Sequence, residues 1–343
     1  MAELPEPLRY ALAARLAGLP TEALKASVDR LIEAYRSGST PTSPILSRPG
    51  DVAAYAAYRM PATFSAVRAS LSSFNLDFPH ETLLDLGGGT GAAAWAAVDV
   101  LPQIREITVI DQVGDALALG AALAAESPSP ALRSATWLGQ RFGAAVPAAD
   151  VVTVSYVLAE LAAEAQRQLV DSAAEAGGVV VIVEPGTPAG YQRILAARAR
   201  LIELGRVIVA PCPHQAACPM PPGKDWCHFG TRVNRSALHR RVKDADLSYE
   251  DEKFSYVVAV RPGIVAGNGG AASGTAGASV GATAGASGGG IGRVLRRPVQ
   301  RKGLVQLHLC EPDGSIHDRI VTKRHGAAYK VARDMSWGDT FDA

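Results

Sequence analysis

The chain has 343 residues, 48% of them hydrophobic, and a formal net charge of +1 at pH 7. This size and apolar content suit one large α/β domain with an appendage, or two domains. A charge so close to neutral excludes a molecule-wide field that attracts nucleic acid, so any such surface must come from local basic clusters. No apolar run is long enough to cross a bilayer, and the N-terminus lacks a signal-peptide core. We therefore expect a cytoplasmic protein without a membrane partner.

The first part of the chain predicts a helical N-terminal extension over residues 1–75. Leucines recur at helical spacing through residues 1–40, which is typical of helices that pack on a main domain. Tyr55, Tyr58 and Arg59 then lie close together in the sequence. They either cover a bound cofactor or substrate, or contribute to a helix core, which is the more common role of aromatic residues at this spacing.

A glycine-rich turn follows the first apolar strand. The stretch LLDLGGGTG places Gly87, Gly89 and Gly91 at alternate positions after Asp85, just before a helix-forming run. Such a turn presents backbone N–H groups and a helix N-terminus to a nucleotide-like ligand, although any tight strand-to-helix turn also selects glycine. The spacing differs from the Gly-x-Gly-x-x-Gly pattern of NAD and FAD sites. It resembles motif I of class I S-adenosylmethionine (SAM) methyltransferases.

Strands and helices alternate regularly beyond this turn, which predicts a parallel sheet with helices on both faces, in a domain over residues 76–262. Asp111 ends the second strand, where a carboxylate can accept hydrogen bonds from ribose hydroxyls, or can cap the next helix. Glu184 ends the fifth strand, as a base or, more simply, as a structural carboxylate. The predicted strands cover 83–86, 106–110, 133–138, 150–156, 178–183 and 254–260, and the predicted helices cover 92–101, 113–125, 158–176 and 189–204.

The sequence offers no recognisable catalytic set. After the fourth strand stands Ser-Tyr-Val-Leu rather than an Asn-Pro-Pro-Tyr motif, and no cysteine ends a strand as a nucleophile of pyrimidine C5 methylation would. After the third strand stand Trp137, Leu138 and Gly139, where many SAM enzymes place an Asp or Asn near the adenine. Methyl transfer can proceed by positioning alone, so this does not exclude an enzyme.

The chain has four cysteines, and three of them, Cys212, Cys218 and Cys227, fall in a cysteine-rich insert over residues 205–230. None forms the close Cys-x-x-Cys pair typical of structural zinc. Wider spacing with Cys-Pro steps favours an iron–sulfur cluster, whose larger body needs thiolates from further apart, with Cys310 as the remaining candidate ligand. Zinc completed by His214 or His228, and buried free thiols, are the alternatives.

The motifs LLDLGGGTG, VEPGTP, PCPH-x3-CP, DWCHF and LC-x2-DG, in this order, resemble the family of the mitochondrial small-ribosomal-subunit methyltransferase-like protein and its bacterial relatives. The resemblance implies a Rossmann-like class I methyltransferase fold with a [4Fe-4S] cluster, associated with the small ribosomal subunit or its precursor RNA. It implies Cys212, Cys218, Cys227 and Cys310 as cluster ligands. It implies that the SAM loop consists of Asp85, Gly87, Gly89 and Gly91.

Basic residues concentrate in the C-terminal third. Their spacing between 232 and 243 predicts one face of a helix that could neutralise RNA phosphates, or a solvated face. Residues 263–292, almost only Gly, Ala, Ser, Thr and Val, predict a disordered linker. Residues 293–343 predict a small basic β appendage, with a hairpin of strands 304–310 and 316–322 around an Asp-Gly turn. The candidate rRNA contacts are Arg232, Arg235, Arg240, Arg296, Arg297 and Arg301.

Three functions fit this sequence. The first is a SAM-dependent methyltransferase that acts on RNA of the small ribosomal subunit, with unassigned catalytic residues. The second is a catalytically inactive iron–sulfur protein that binds RNA during ribosome assembly or translation. The third, which fewer features favour, is a small-molecule methyltransferase with a structural zinc.

Overall fold

The computed structural model describes residues 3–17, 19–36, 49–75, 78–235, 249–264 and 291–342. Its strands are β1 (Thr82–Leu86), β2 (Glu106–Asp111), β3 (Thr136–Gly139), β4 (Ala149–Ser155), β5 (Gly177–Pro185), β6 (Val207–Ala210), β7 (Phe229–Asn234), β8 (Tyr249–Val260), β9 (Gly292–Val294), β10 (Val299–Arg301), β11 (Leu304–Cys310), β12 (Ile316–Thr322) and β13 (Thr340–Phe341). Its α-helices are α1 (Glu6–Leu16), α2 (Thr21–Arg36), α3 (Pro49–Tyr58), α4 (Met60–Leu71), α5 (Ala92–Val100), α6 (Gly114–Ala124), α7 (Pro130–Arg133), α8 (Ala163–Ala176), α9 (Pro188–Glu203) and α10 (Ala327–Asp334), and 3-10 turns occur at Leu158–Glu160 and Lys323–His325.

The main sheet has eight strands in the order β3-β2-β1-β4-β5-β8-β6, with β7 paired to β8. β1 to β5 run parallel, and β8 runs antiparallel to its three neighbours. β5 reads GGVVVIVEP and is buried along almost its whole length, because helices cover both faces of a parallel sheet. This architecture confirms the predicted α/β, Rossmann-like class I methyltransferase sheet. It also brings the ends of β1, β2, β4 and β5 to one edge, where such sheets bind ligands.

Two apolar clusters cover the faces of this sheet. One contains Leu8 and Leu12 of α1 and Phe64 of α4, and the other contains Leu169 of α8 and Leu201 of α9. The N-terminal helices therefore share a core with the main sheet, as expected of helices packed on a main domain.

Three local predictions were wrong. β3 begins at Thr136, because Arg133 instead ends α7. The helix expected from residue 158 begins only at Ala163, after a 3-10 turn. Arg232 lies in β7 rather than in a helix, because β7 pairs with the acidic start of β8. Residues 236–248, which complete the predicted helix and contain Arg240, lie outside the described residues.

A second sheet follows in the C-terminal segment. It has five strands in the order β10-β11-β9-β13, with β12 paired to β11, around a core that contains Val305, Leu307 and Phe341. The predicted hairpin is confirmed, and Gly314 takes a φ of +82° in its turn. β9 already begins at Gly292, so the predicted linker extends too far there, and residues 265–290 lie outside the described part of the chain. The limits 1–75, 76–262 and 293–343 stay predictions.

Candidate functional site

The glycine turn connects β1 to α5 at the ligand-binding edge of the sheet. Gly87, Gly89 and Gly91 take φ values of +72°, +52° and +79°, which side-chain-bearing residues rarely adopt. A Cβ added at Gly87 or Gly91 would lie 2.7 Å from a carbon of Val157 or Trp137, whereas one at Gly89 would meet only Asp111 Oδ2, at 3.8 Å. Gly87 and Gly91 therefore serve close packing, and Gly89 is the glycine that leaves room for a ligand.

Asp85 lies beneath this turn and is fully buried. Its Oδ1 accepts a hydrogen bond of 2.7 Å from Thr153 Oγ1, but its Oδ2 has no partner among the described residues. Burial, together with the negative charge of Asp111, raises the pKa of Asp85 to about 7 although the Thr153 bond opposes the shift. Thr90 Oγ1, just before α5, is also buried without a described partner. These unpaired polar atoms beside open glycine backbone fit a ligand with its own donors and acceptors.

Asp111 ties the end of β2 to the glycine turn. Its Oδ2 accepts from Gly89 N at 2.9 Å and its Oδ1 accepts from Val113 N at 2.8 Å. The N-cap of α6 is Val113, so the alternative that Asp111 is the capping residue of this helix is wrong. Each carboxylate oxygen can accept a second bond, so the predicted contact of Asp111 with a ribose hydroxyl stays open as a prediction.

Trp137 and Glu184, the two other candidates at this edge, have side chains that are already engaged in packing or hydrogen bonds. The ring of Trp137 lies against Gly91 and Gly120, so it packs beneath the turn. Glu184 is fully buried and accepts from Leu158 N at 3.1 Å and from Arg193 Nε at 2.6 Å. Glu184 is the structural carboxylate that the sequence favoured, and it shapes the turn after β4.

A cluster that the sequence did not reveal lies beside this turn, formed by Arg59, Tyr156 and Glu252. Arg59 Nη2 lies 3.1 Å from Glu252 Oε1, and the same oxygen accepts from the Tyr156 hydroxyl at 2.9 Å. The Arg59 and Glu252 side chains are 19% and 12% exposed. Burial opposes the charge of Arg59, but the adjacent Glu252 raises the pKa of Arg59 above its usual value.

Tyr156 has a φ of +60° directly after β4, and the next residue, Val157, packs on Gly87. Burial raises the pKa of Tyr55, with smaller contributions from the charges of Glu160 and Asp111. The segment around Arg59 therefore borders the glycine turn. This position agrees with the interpretation that the segment covers a bound cofactor or substrate. No sequence motif pairs Glu252 with Arg59, because 193 positions separate the two residues.

The four cysteines line one cavity, which is partly open to solvent. Cys212, Cys218 and Cys227 come from the segment between β6 and β7, and Cys310 ends β11 of the second sheet. All four cysteines therefore lie around one cavity, although Cys310 is far from the other three along the chain, and their role as ligands stays a prediction.

The thiols influence one another strongly. Burial, followed by repulsion from Cys212 and Cys218, raises the pKa of Cys310 to about 12. Burial and the other three cysteines likewise raise the pKa of Cys227 well above its usual value. Among the described residues, no group of three or more His, Cys, Asp and Glu side chains is arranged to hold a metal ion. The donor set itself, four sulfurs around one space, has the chemistry of a thiolate-ligated metal group.

The two histidines proposed as zinc ligands differ in position. His214 Nε2 lies 3.4 Å from Cys310 Sγ. His228 is held outside the cavity lining, because Nδ1 lies 3.0 Å from Trp226 O and the ring contacts Trp226 and Trp337, each at 5.1 Å between ring centroids. The zinc alternative through His228 therefore has no geometric support.

Most of the arginines predicted to contact RNA are paired with carboxylates. Across β7 and β8, Arg232 pairs with Asp251 at 3.0 Å and Arg235 pairs with Glu250 at 2.8 Å. Further along, Arg297 also contacts Asp251, and Arg296 contacts Asp225. Arg301, in contrast, is exposed and has no ion pair among the described residues. The net charge of the chain does not distinguish the ion-paired arginines from the unpaired Arg301.

Comparison with known proteins gives the chain a family. Residues 49–342 match the family described as Rsm22, mitochondrial small ribosomal subunit Rsm22. The chain belongs to the Rsm22 family. A relative from Homo sapiens, the ribosome assembly protein METTL17, mitochondrial, is 29% identical over 308 residues, which is 83% of this chain and 61% of METTL17. The Rsm22-cox11 tandem protein 2, mitochondrial, of Schizosaccharomyces pombe is 26% identical over 334 residues, covering 84% of this chain and 43% of that protein. The chain thus spans less than two thirds of these relatives.

Solved methyltransferase structures are similar at low identity. Magnesium protoporphyrin IX methyltransferase from Synechocystis, with bound SAH, has a TM-score of 0.38 and 14% identity, covering 68% of this chain and 93% of that one. TrmK of M. capricolum, in complex with S-adenosyl-homocysteine, has a TM-score of 0.34 and 6% identity, covering 58% and 68%. The fold assignment for this Rsm22 family member rests on its own strand order.

Family membership corrects one prediction and supports others. The predicted cytoplasmic location is contradicted, because the Rsm22 family and the relatives above are described as mitochondrial. Composition failed here because it does not encode the compartment of a folded chain. The expected link to the ribosome is confirmed at the level of the family. In the described part of the chain, no helix has the length and apolarity to span a membrane.

Proposed function

We propose that this Rsm22 family member binds SAM at the glycine turn, holds a [4Fe-4S] cluster at its four cysteines, and binds rRNA of the small ribosomal subunit during assembly. The observation that carries this proposal is the convergence of four cysteines on one cavity in a chain of this family. Cys212, Cys218, Cys227 and Cys310 would hold the cluster, which would supply a rigid anionic cross-link between the two sheets.

The glycine turn supports SAM as the ligand through its chemistry. The unpaired Oδ2 of Asp85 is an acceptor for an ammonium group, and Asp111 has lone pairs for hydroxyl groups. The open backbone at Gly89 leaves space between these two carboxylates and the start of α5. Gly87, Gly91 and Val157 hold the turn in shape.

Methyl transfer to RNA is the more specific alternative function, but no residue is assigned to its catalysis. Tyr156 stands after β4, but its hydroxyl is already bonded to Glu252, and burial raises its pKa well above the usual value. It therefore stays protonated at neutral pH and is unsuited to act as a base. A role as a binding and assembly protein follows more directly from these contacts than a role as an enzyme.

The RNA contacts that we now favour lie at one end of the second sheet. Arg301 of β10 pairs in register with Leu304, which pairs on its other side with Thr322. Lys302 follows Arg301, and Lys323 and Arg324 follow Thr322. These four cations are exposed and have no carboxylate partner among the described residues, so their charge is available to phosphates.

Affinity purification of the tagged chain from its native cells tests the partner. Small-subunit rRNA should be enriched over a tag-only control, and recovery equal to the control would contradict the proposal.

The RNA contacts are tested by the double variant Arg301→Gln with Lys302→Gln, which should weaken RNA binding and reduce its salt dependence by about two phosphate contacts. The matched control is Arg232→Gln with Arg297→Gln, which removes the same charge from ion-paired positions.

Calorimetry tests the cofactor. The wild type should bind SAM, and Gly89→Arg should abolish binding, because its side chain would fill the space beside Asp111. Absence of SAM binding by the wild type would remove this part of the proposal. Label transfer from SAM to small subunits would establish methyl transfer in place of the binding role.

Iron and sulfide analysis, with the visible charge-transfer band of the anaerobically purified protein, tests the cluster, and a colourless, zinc-loaded protein would contradict it.

A further inference from the structure

Three polar side chains around the cysteine cavity are almost completely buried. Tyr191 is 4% exposed, Arg198 is 5% exposed and His214 is 6% exposed. Burying a hydroxyl, a guanidinium and an imidazole is costly unless each has a strong partner. Their position beside four sulfurs therefore calls for a specific explanation.

Two of the three lie within hydrogen-bond reach of a cysteine sulfur. The Tyr191 hydroxyl lies 3.2 Å from Cys218 Sγ, and His214 Nε2 lies 3.4 Å from Cys310 Sγ. Arg198 lines the same cavity as Cys212. When a sulfur is a thiolate it can only accept, so Tyr191 and His214 would then donate.

The helix α9 organises this arrangement. Tyr191, Ile194, Leu195 and Arg198 all line the cavity, and their spacing places them on one helix face. Arg198 Nη2 also donates to His214 O at 2.9 Å and Ala216 O at 2.8 Å, which fixes the loop that carries His214. Arg198 Nε and His214 Nδ1 have no hydrogen-bond partner among the described residues, so these two nitrogens can still form hydrogen bonds with a bound group.

We propose, building on the cluster proposed above, that Tyr191 and His214 are positioning residues that donate hydrogen bonds to the ligand sulfurs and thereby set the reduction potential of the cluster, with Arg198 holding the loop that carries His214. A hydrogen bond to a coordinating sulfur withdraws electron density from the metal group and stabilises its reduced form. Removing such a donor therefore moves the potential to more negative values. The hydroxyl of Tyr191 is the clearest case, because phenylalanine preserves the ring and removes only the donor.

The test compares anaerobically purified wild type, Tyr191→Phe and the control Tyr329→Phe, which makes the same change on α10 of the second sheet. Iron per chain is measured first, and a dye-mediated redox titration followed by visible absorbance and electron paramagnetic resonance is measured second. We expect equal iron in all three proteins, an unchanged potential in the control and a more negative potential in Tyr191→Phe.

The outcomes separate this inference from the proposed function. Wild-type protein without iron and sulfide overturns the cluster itself and this inference with it. Full iron in Tyr191→Phe with the wild-type potential overturns only the role of the donors. Should Tyr191→Phe lose its iron, His214→Phe carries the same comparison through Cys310, and a wild-type potential in that variant overturns the inference.

Discussion

The glycine turn and the cysteine cavity are two sites built in opposite ways. The turn is formed by consecutive residues from Asp85 to Gly91, with Asp111 added from the neighbouring strand. The cavity takes its sulfurs from a long segment after β6 and from β11 of another sheet. The turn depends on the local backbone, whereas the cavity depends on how two sheets meet. Changes at one site should therefore leave the other intact.

The largest effect is expected at the cavity. Cys310→Ala should abolish iron binding and lower the unfolding temperature strongly, because it removes the only sulfur from the second sheet, while SAM affinity stays unchanged. His308→Ser on the same strand is the control, since its side chain is 32% exposed and, among the described residues, pairs only with Asp318. Iron analysis and calorimetry measure both sites, and full iron in Cys310→Ala would break the comparison.

Arg59→Ala should lower the free energy of unfolding by about 4 kcal/mol, because it leaves the mostly buried Glu252 without its cation. Arg68→Ala removes an exposed pair with Asp99, 41% and 35% exposed, and should cost less than about 1 kcal/mol. Urea denaturation measures both. Equal losses would show that the Arg59 cluster does not stabilise the wall of the glycine turn.

Asp85→Asn should stabilise the fold at high pH by on the order of 3 kcal/mol, while weakening SAM binding. Burial raises the pKa of Asp85 from 3.8 to about 7, so the folded state favours the protonated carboxyl. The contribution of this group is fully present below pH 4 and is lost as the pH rises through 7. Asparagine cannot ionise, so the gain should grow between about pH 4 and pH 7 in denaturation curves and level off above that range. A gain independent of pH would contradict this account.

Gly91→Ala should cost about 2 kcal/mol, since it combines a strained positive φ with a contact against Trp137. Gly89→Ala shares the positive φ but meets only Asp111, so it should cost about 1 kcal/mol. For SAM affinity the order should reverse, with the larger loss in Gly89→Ala. The same rank in stability and in binding would show that the two glycines do not have separate roles.

The features that the sequence predicted correctly were encoded by nearby residues. The buried run of β5, the glycine turn and the Asp-Gly hairpin each follow from backbone and burial preferences over a few positions. Basic residues at helical spacing around Arg232 were misleading, because β7 places Arg232 opposite Asp251 in a strand register that spacing alone cannot reveal. The Arg59 cluster was missed because its members meet only in the tertiary structure.

The late position of Cys310 has a consequence for biosynthesis. Cys212, Cys218 and Cys227 are synthesised before β11 and its Cys310. Bringing Cys310 to these three residues closes a long stretch of chain, which carries an entropic cost. A chain truncated before residue 304 contains the residues of the glycine turn and of the main sheet but lacks Cys310. The cavity thus acquires its fourth sulfur only after β11 has been synthesised.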